Sequence, residues 1–99
     1  MSAEAPDILI ELKTSPGTDL PWNVVVFNDP INLMTYVTLV FQRVFGFPKE
    51  RAEKHMLEVH ELGRSILWTG HREVAESYVE KLHGYLLLAQ IEKAGSSPS

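Results

Sequence analysis

The chain has 99 residues, of which 44% are hydrophobic and 22% charged, a composition typical of a globular domain with one modest core. Nine basic against 13 acidic side chains give a net charge of −4, which lacks the positive field that binding to a nucleic-acid backbone requires. No cysteine is present, so disulfides and thiolate zinc sites are excluded and a reducing compartment is favoured.

The two ends of the chain differ in composition from its middle. Residues 1–20 are rich in Ser, Pro, Gly, Thr and acids, and we expect a flexible N-terminal tail there. Residues 95–99, Gly-Ser-Ser-Pro-Ser, predict a disordered C-terminal end. The start lacks the basic and hydrophobic regions of a signal peptide, and no apolar stretch is long enough to span a bilayer. We therefore expect a cytoplasmic protein with one domain over residues 21–94 and no membrane partner.

A strand and a helix are predicted first. Trp22–Phe27 is a β-branched and aromatic run of strand length, and it ends at the turn-forming Asn-Asp-Pro of residues 28–30. A helix is predicted over residues 33–45, with Asn32 as its N-cap and Gly46 as its stop. Its apolar residues recur every three or four positions and so predict one buried stripe: Leu33, Val37, Val40, Phe41 and Val44.

Four more elements follow along the chain. A second helix is predicted over 48–62, a short strand over 65–68, a third helix over 72–82 that ends at His83-Gly84, and a last strand over 85–92. The two helices have predicted apolar faces of Ala52, Met56, Val59 and Leu62, and of Val74, Tyr78, Val79 and Leu82. The order β-α-α-β-α-β predicts an α+β fold, a two-layer sandwich with three helices packed on a small three-stranded antiparallel sheet.

Motifs for catalysis or for a cofactor are not found in the sequence. There is no Gly-rich phosphate loop, no nucleophile elbow and no paired metal-binding histidine motif, so we expect no catalytic residue, no metal and no cofactor. His55, His71 and His83 are interpreted as surface or helix-end residues. His60 lies beside Val59 at the edge of an apolar stripe, where a histidine is more often partly buried and bonded to a backbone carbonyl. The pattern alone leaves its role open.

Three blocks of sequence carry a family pattern. Residues 24–37, VVVFNDPINLMTYV, are a hydrophobic strand that runs into Asn-Asp and then a helix beginning near a Met; residues 52–63, AEKHMLEVHELG, follow the pattern A-x-x-x-M-x-x-V-H-x-x-G. Residues 73–76, EVAE, and the closing 91–93, IEK, agree in order and spacing. Over residues 21–94 the chain thereby resembles the ClpS family, the adaptor proteins of the ATP-dependent Clp protease.

The resemblance implies a binding site rather than an active site. Asn28, Asp29 and His60 are expected to bind the free α-amino group of a protein that begins with Phe, Leu, Tyr or Trp. A hydrophobic pocket for that first side chain is expected to be formed by Met34, Val37, Met56, Val59 and Leu87. The rim of the pocket is expected to contain Pro30, Ile31, Asn32 and Leu33. Pro30 stands where many members of the family have a second acidic residue.

The resemblance also implies partners. The bound protein would be delivered to the N-terminal domain of a Clp ATPase of the ClpA or ClpC type, for degradation by the Clp protease, with the adaptor acting as a monomer. ATPase docking is expected on the third helix, at Glu73, Glu76 and Tyr78, although a solvated helix face would give the two glutamates equally well.

Two other functions are compatible with parts of the pattern. The carboxy-terminal domain of the ribosomal stalk protein, a non-catalytic protein–protein interaction domain, has the same layer order. A small hydrolase using His60 with Asp29 is disfavoured, because no serine or threonine lies in a motif that would activate it as a nucleophile.

Overall fold

The computed structural model of the chain describes residues 21–95, so the predicted tail and, apart from Gly95, the predicted C-terminal end lie outside the described residues. Within 21–95 the chain forms three helices and a three-stranded sheet, and none of these helices is long and apolar enough to cross a membrane. The elements are β1 (Trp22–Phe27), α1 (Met34–Phe45), α2 (Lys49–Leu62), β2 (Arg64–Gly70), α3 (Arg72–Gly84) and β3 (Leu88–Lys93).

The first strand is the centre of the sheet. The strand order is β2-β1-β3, and β1 runs antiparallel to both neighbours. Phe27, the last residue of β1, pairs with Arg64 on one side and Leu88 on the other. The continuous apolar run in β1 fits a central strand whose backbone is paired along both edges. The predicted α+β architecture and its element order are confirmed.

The hydrophobic core lies between one face of the sheet and the three helices. Val24 and Val26 of β1 alternate toward this face and are almost fully buried. Phe41 of α1, Ala75 and Leu82 of α3 have no exposed surface. Each large apolar side chain buried in this way stabilises the fold by about 1.5–3 kcal/mol. The core thereby fixes the helices above the sheet, which positions the residues at the end of β1 relative to α2.

Three residues predicted for the buried stripes are exposed instead. Leu33 is 73% exposed and Leu62 is 74% exposed. Leu33 precedes the first turn of α1 and Leu62 is the last residue of α2, so the packing that buries the middle of each helix does not extend to them. On α3, Ala75 is buried and Val74 is 43% exposed. Successive residues of a helix are rotated by about 100°, so when Ala75 faces the core its neighbour Val74 points away from it.

The boundary between α3 and β3 also differs from the prediction. Gly84 was expected to stop the helix, and Tyr85 to begin the last strand. In the structure Gly84 is still helical, Tyr85 and Leu86 form a turn, and β3 begins at Leu88. The apolar run over residues 85–88 is typical of a strand, but the backbone hydrogen bonds that close α3 use the first part of it.

Candidate functional site

A cavity of about 440 Å³ opens between the end of β1, the start of α1 and the second half of α2. Its volume is within the range of about 300–1,000 Å³ that is usual for ligand sites. All the residues predicted for amine binding, pocket and rim line it except Ile31, and Val26 and Phe27 of β1 complete the lining. The lining residues are Val26, Phe27, Asn28, Asp29, Pro30, Asn32, Leu33, Met34, Val37, Met56, Val59, His60 and Leu87.

A backbone hydrogen bond brings Asn28 and His60 to the same cavity. The Asn28 amide donates to the Gly63 carbonyl at 3.0 Å, which ties the residue after β1 to the cap of α2. Gly63 has φ +90° and its own amide donates to the Val59 carbonyl at 3.0 Å. A residue with a β-carbon rarely adopts this backbone conformation. The glycine therefore ends α2 just beyond His60 and turns its carbonyl toward Asn28.

The carboxylate of Asp29 is fixed by a local turn. Its Oδ1 accepts from the Ile31 amide at 2.9 Å and its Oδ2 from the Asn32 side-chain amide at 3.4 Å. Such turns are a common use of Asp before a helix. Because this geometry leaves lone pairs on both oxygens, the carboxylate can still accept from a ligand at the cavity.

The prediction that Asn32 caps α1 is wrong. Leu33 occupies the N-cap position, and no side chain within the described residues forms a cap hydrogen bond there. The Asn32 amide instead donates to the Leu86 carbonyl at 3.1 Å, in the turn between α3 and β3. This contact joins residues that are far apart in the sequence, so local pattern could not predict it.

His60 is exposed rather than partly buried. It lies in the last turn of α2 and lines the cavity. Ring hydrogen bonds in the described part of the chain involve His55 and His83, and none involves His60. Within the described residues, therefore, no backbone carbonyl is hydrogen-bonded to a ring nitrogen of His60. The ring lines a space that a ligand can fill.

The apolar wall becomes more exposed toward the mouth of the cavity. Val37, Val59 and Leu87 are buried, Met56 is half-buried, and Met34 is 44% exposed. Met34 is the first residue of α1, where a long side chain points back toward the helix start. The arrangement is a closed apolar floor with an unbranched, adaptable side chain at the entrance.

Leu87, the wall residue furthest along the chain, is positioned by the end of α3. The Leu86 amide donates to His83 at 2.9 Å and the Leu87 amide to Leu82 at 3.0 Å, the pair of bonds that defines a Schellman motif. Glycine usually fills its left-handed position, but here Leu86 does so, with φ +67°. For a residue with a β-carbon this conformation costs about 1–2 kcal/mol.

A polar cluster outside the cavity was missed by the sequence analysis. His55 was interpreted as a surface residue, but it is half-buried, and its Nδ1 lies 2.8 Å from the Ser65 hydroxyl. That hydroxyl donates to Glu58 Oε1 at 2.6 Å. Burial lowers the pKa of His55 from 6.5, with Arg51 also lowering it and Glu58 partly opposing the shift. The i,i+3 spacing of His55 and Glu58 on α2 was the available signal.

The residues predicted for ATPase docking lie on α3, and none of them lines the cavity. Glu73 is exposed, and Glu76 accepts from Arg72 at 3.1 Å across one helical turn. Tyr78 is half-buried, with its ring centroid 4.7 Å from Phe45 and 5.2 Å from Trp68. Tyr78 thus belongs to an aromatic cluster, whereas the two glutamates face solvent.

Over residues 21–95, no group of three or more His, Asp or Glu side chains is arranged to ligate a metal ion. The cavity instead combines the acceptor groups of Asn28, Asp29 and His60 with an apolar wall. On a two-layer α+β scaffold, this combination defines a small ligand-binding domain.

The protein family is shown by comparison with known sequences. Residues 18–90 match the family model of the ATP-dependent Clp protease adaptor protein ClpS. The chain belongs to the ClpS family. This membership favours the adaptor interpretation over the ribosomal stalk-protein domain, which shares the layer order.

Curated relatives cover nearly the whole chain. It is 43% identical over 93 residues to the ATP-dependent Clp protease adapter protein ClpS of Streptomyces coelicolor, covering 94% of this chain and 97% of the relative. The ClpS of Mycobacterium marinum is 45% identical over 83 residues, covering 84% and 82%. A solved structure, Agrobacterium tumefaciens ClpS2 bound to L-phenylalaninamide, has a TM-score of 0.68 at 22% identity, covering 76% of this chain and 98% of that one. This last likeness supports the fold.

Proposed function

We propose that the protein is an adaptor that binds proteins with a free N-terminal Phe, Leu, Tyr or Trp and delivers them to a Clp ATPase of the ClpA or ClpC type. The observation that carries the proposal is that Asn28, Asp29 and His60 line the same cavity as a buried apolar wall. A chain end with a large apolar first residue has the matching pair of features, an ammonium group next to an apolar side chain.

The polar side of the cavity suits an ammonium group. A free amino terminus has several N–H donors and a positive charge, whereas Asn28 offers an amide oxygen, Asp29 a carboxylate and neutral His60 a ring nitrogen. An internal peptide or an acetylated end lacks the charge and most of the donors. Pro30 leaves Asp29 as the acid of the turn at residues 28–30, so one carboxylate contributes to the charge recognition.

The apolar side contributes about as much binding energy as one charge-assisted hydrogen bond of the polar side. Burial of a Leu or Phe side chain contributes about 1.5–3 kcal/mol, and each hydrogen bond to a charged group about 1.5–3 kcal/mol. Two or three such bonds with one buried side chain give a gross total of about 5–12 kcal/mol before ordering costs, which is compatible with micromolar binding. Binding of this strength lets an adaptor release what it captures.

The ligand of a relative with the same fold supports the proposal. Agrobacterium tumefaciens ClpS2 was solved with L-phenylalaninamide, a phenylalanine whose amine is free and whose carboxyl group is an amide. It therefore has the chemistry of the first residue of a peptide. The present chain offers a cavity with matching acceptors and an apolar wall.

Calorimetry with three peptides tests the proposal. A peptide beginning with Phe is expected to bind. The acetylated peptide loses hydrogen bonds from the charged amine, and the peptide beginning with Gly loses the buried side chain, about 1.5 kcal/mol or more in each case. Both are therefore expected to bind at least about tenfold more weakly. His60→Ala should weaken binding similarly. His71→Ala is the matched control, because His71 is exposed and does not line the cavity. Equal binding of the free and acetylated peptides would rule the proposal out.

For delivery, we propose that the ATPase docks on α3 through Glu73, Glu76 and Tyr78, and that the tail of residues 1–20 modulates the ATPase. Both glutamates are exposed and neither lines the cavity, which supports a second surface that works while the first is occupied. The double variant Glu73→Lys, Glu76→Lys is expected to abolish degradation of a Phe-initiated substrate by the Clp ATPase and its protease, while peptide affinity is preserved.

Deleting residues 1–20 should also preserve peptide affinity and should alter delivery to the ATPase. Loss of peptide binding would contradict the assignment of the tail.

A further inference from the structure

Two side chains, one just before α1 and one in its first turn, hold the turn that ends α3. The Asn32 side-chain amide donates to the Leu86 carbonyl at 3.1 Å, and the Tyr36 hydroxyl donates to the Tyr85 carbonyl at 2.7 Å. The acceptors are consecutive carbonyls of one turn, and the donors are four residues apart in the sequence, one just before α1 and one in its first turn. These two hydrogen bonds, which we call the rim clamp, join the cavity rim to the segment that presents Leu87.

The clamped turn is in an unfavourable conformation. Leu86 has φ +67° and its side chain is 77% exposed, so side-chain packing contributes little that would offset the backbone conformation. Left-handed residues other than glycine persist where surrounding contacts determine them. Asn32 and Tyr36 provide such contacts from outside the turn. If they were removed, Leu86 would be free to relax toward an extended conformation and would shift the neighbouring Leu87.

We propose that the rim clamp is a positioning device for the cavity: Asn32 and Tyr36 hold Leu87 in place and thereby determine how tightly the first side chain of a captured protein is bound. This inference rests on the proposed function. Leu87 is only 4% exposed and lines the cavity. Tyr36 does not line the cavity, so its effect on a ligand has to pass through the turn.

Single substitutions that remove one donor test the clamp. Asn32→Ala and Tyr36→Phe are each expected to lower the affinity for a Phe-initiated peptide about fivefold, which corresponds to about 1 kcal/mol. The loss should be greater for a Leu-initiated peptide than for a Trp-initiated one, because the smaller side chain depends more on close contact with Leu87. Unchanged affinity in both variants would overturn the proposal.

A second substitution separates positioning from direct contact with the ligand. Glycine adopts the left-handed conformation without steric cost, so adding Leu86→Gly to Tyr36→Phe, which changes a residue outside the cavity lining, should restore affinity to within about twofold of Leu86→Gly alone. Leu86→Ala is the matched control: it removes the same exposed side chain but keeps the β-carbon, and it should not rescue. Absence of rescue by glycine, or equal rescue by alanine, would overturn the proposal.

Amide hydrogen exchange at Leu87 tests the clamp without any peptide. The Leu87 amide donates to the Leu82 carbonyl at 3.0 Å inside the clamped turn. Asn32→Ala should accelerate its exchange about fivefold, and added Leu86→Gly should reverse the change. If no peptide binds the unmodified protein, the proposed function fails, and the exchange result still decides whether the clamp holds the turn. Unchanged exchange in Asn32→Ala would contradict the clamp even if peptides bind.

Discussion

The imidazole Nδ1 of His55 lies 2.8 Å from the hydroxyl of Ser65, which joins the middle of α2 to the start of β2. Ser65 is almost fully buried, and its hydroxyl donates to Glu58 Oε1 at 2.6 Å. Since Ser65 gives its proton to the carboxylate, its oxygen is the acceptor for His55. This small network fixes the helix that contributes Met56, Val59 and His60 to the cavity.

The stability of the fold should depend on pH through His55. Burial holds the pKa of His55 below its ordinary 6.5, so the unfolded chain takes up a proton at a higher pH than the folded chain does. The contribution of the neutral ring is therefore fully present above pH 6.5 and is lost as the pH falls below that value. Urea unfolding at pH 7 and at pH 5 should show a decrease in the free energy of unfolding that is smaller in His55→Gln. An equal decrease in both proteins would refute this role for His55.

Asp29→Asn should separate the charge of the site from its geometry. The amide oxygen of Asn can still accept from the Ile31 amide, a contact of 2.9 Å in the structure, so the turn should persist. The loss of charge should weaken binding of a Phe-initiated peptide by about 1–2 kcal/mol, or about five- to thirtyfold. Calorimetry gives the affinity and thermal unfolding checks the turn. Asp29→Ala, which removes both the charge and the acceptor for the Ile31 amide, should be less stable than Asp29→Asn. Unchanged affinity in Asp29→Asn would show that the carboxylate does not recognise the ammonium group.

Met34→Ala should broaden the choice of first residue. Met34 is 44% exposed at the mouth of the cavity, where it would crowd a side chain branched at the β-carbon. Its truncation should raise affinity for Ile- and Val-initiated peptides about fivefold or more relative to Phe. Leu39→Ala is a control on the same helix, with a similar exposure of 46% and no part in the cavity. Identical discrimination in Met34→Ala and the unmodified protein would exclude Met34 as the gate.

Two glycines should respond to alanine in opposite directions. A β-carbon on Gly70 would lie 2.7 Å from Cζ2 of Trp68, whereas one on Gly84 would meet no atom within 4 Å. Gly70→Ala should displace the indole from Tyr78, now 5.2 Å away between ring centroids, and destabilise the fold by about 1–3 kcal/mol. Gly84→Ala should stabilise it by about 0.5 kcal/mol. Chemical denaturation measures both, and a neutral Gly70→Ala would show that the indole has room to move.

Much of the fold could be predicted from local pattern. The helix over residues 33–45 was predicted to within one residue, because apolar periodicity reflects which face of a helix is buried. The strand Trp22–Phe27 was predicted at its observed bounds from its run of β-branched and aromatic residues. Predictions failed at element ends: Leu62 continues the period of α2 but is 74% exposed. At a helix end the partner elements, rather than the period, decide burial.

The candidate site was predicted from motif spacing and family resemblance rather than from geometry. The sequence shows Asn28 next to Asp29, but their approach to His60 depends on the Asn28–Gly63 backbone bond at 3.0 Å. The resemblance supplied this grouping in advance, and the lining of the cavity agrees with it. The roles of these residues in binding stay predictions for the experiments above.

By itself, the sequence predicted the class of fold and the order of its elements, since these follow from composition, period and spacing along the chain. The family resemblance, rather than these patterns, supplied the residues expected to recognise a chain end. Only the tertiary structure decided that Asn32 bonds to Leu86 rather than capping α1, and that Leu86 takes a left-handed conformation where Gly84 was expected to end the helix. The physical reason is that a polar side chain or a helix end takes whichever partner packing brings within about 3 Å, and packing joins segments that no local pattern relates.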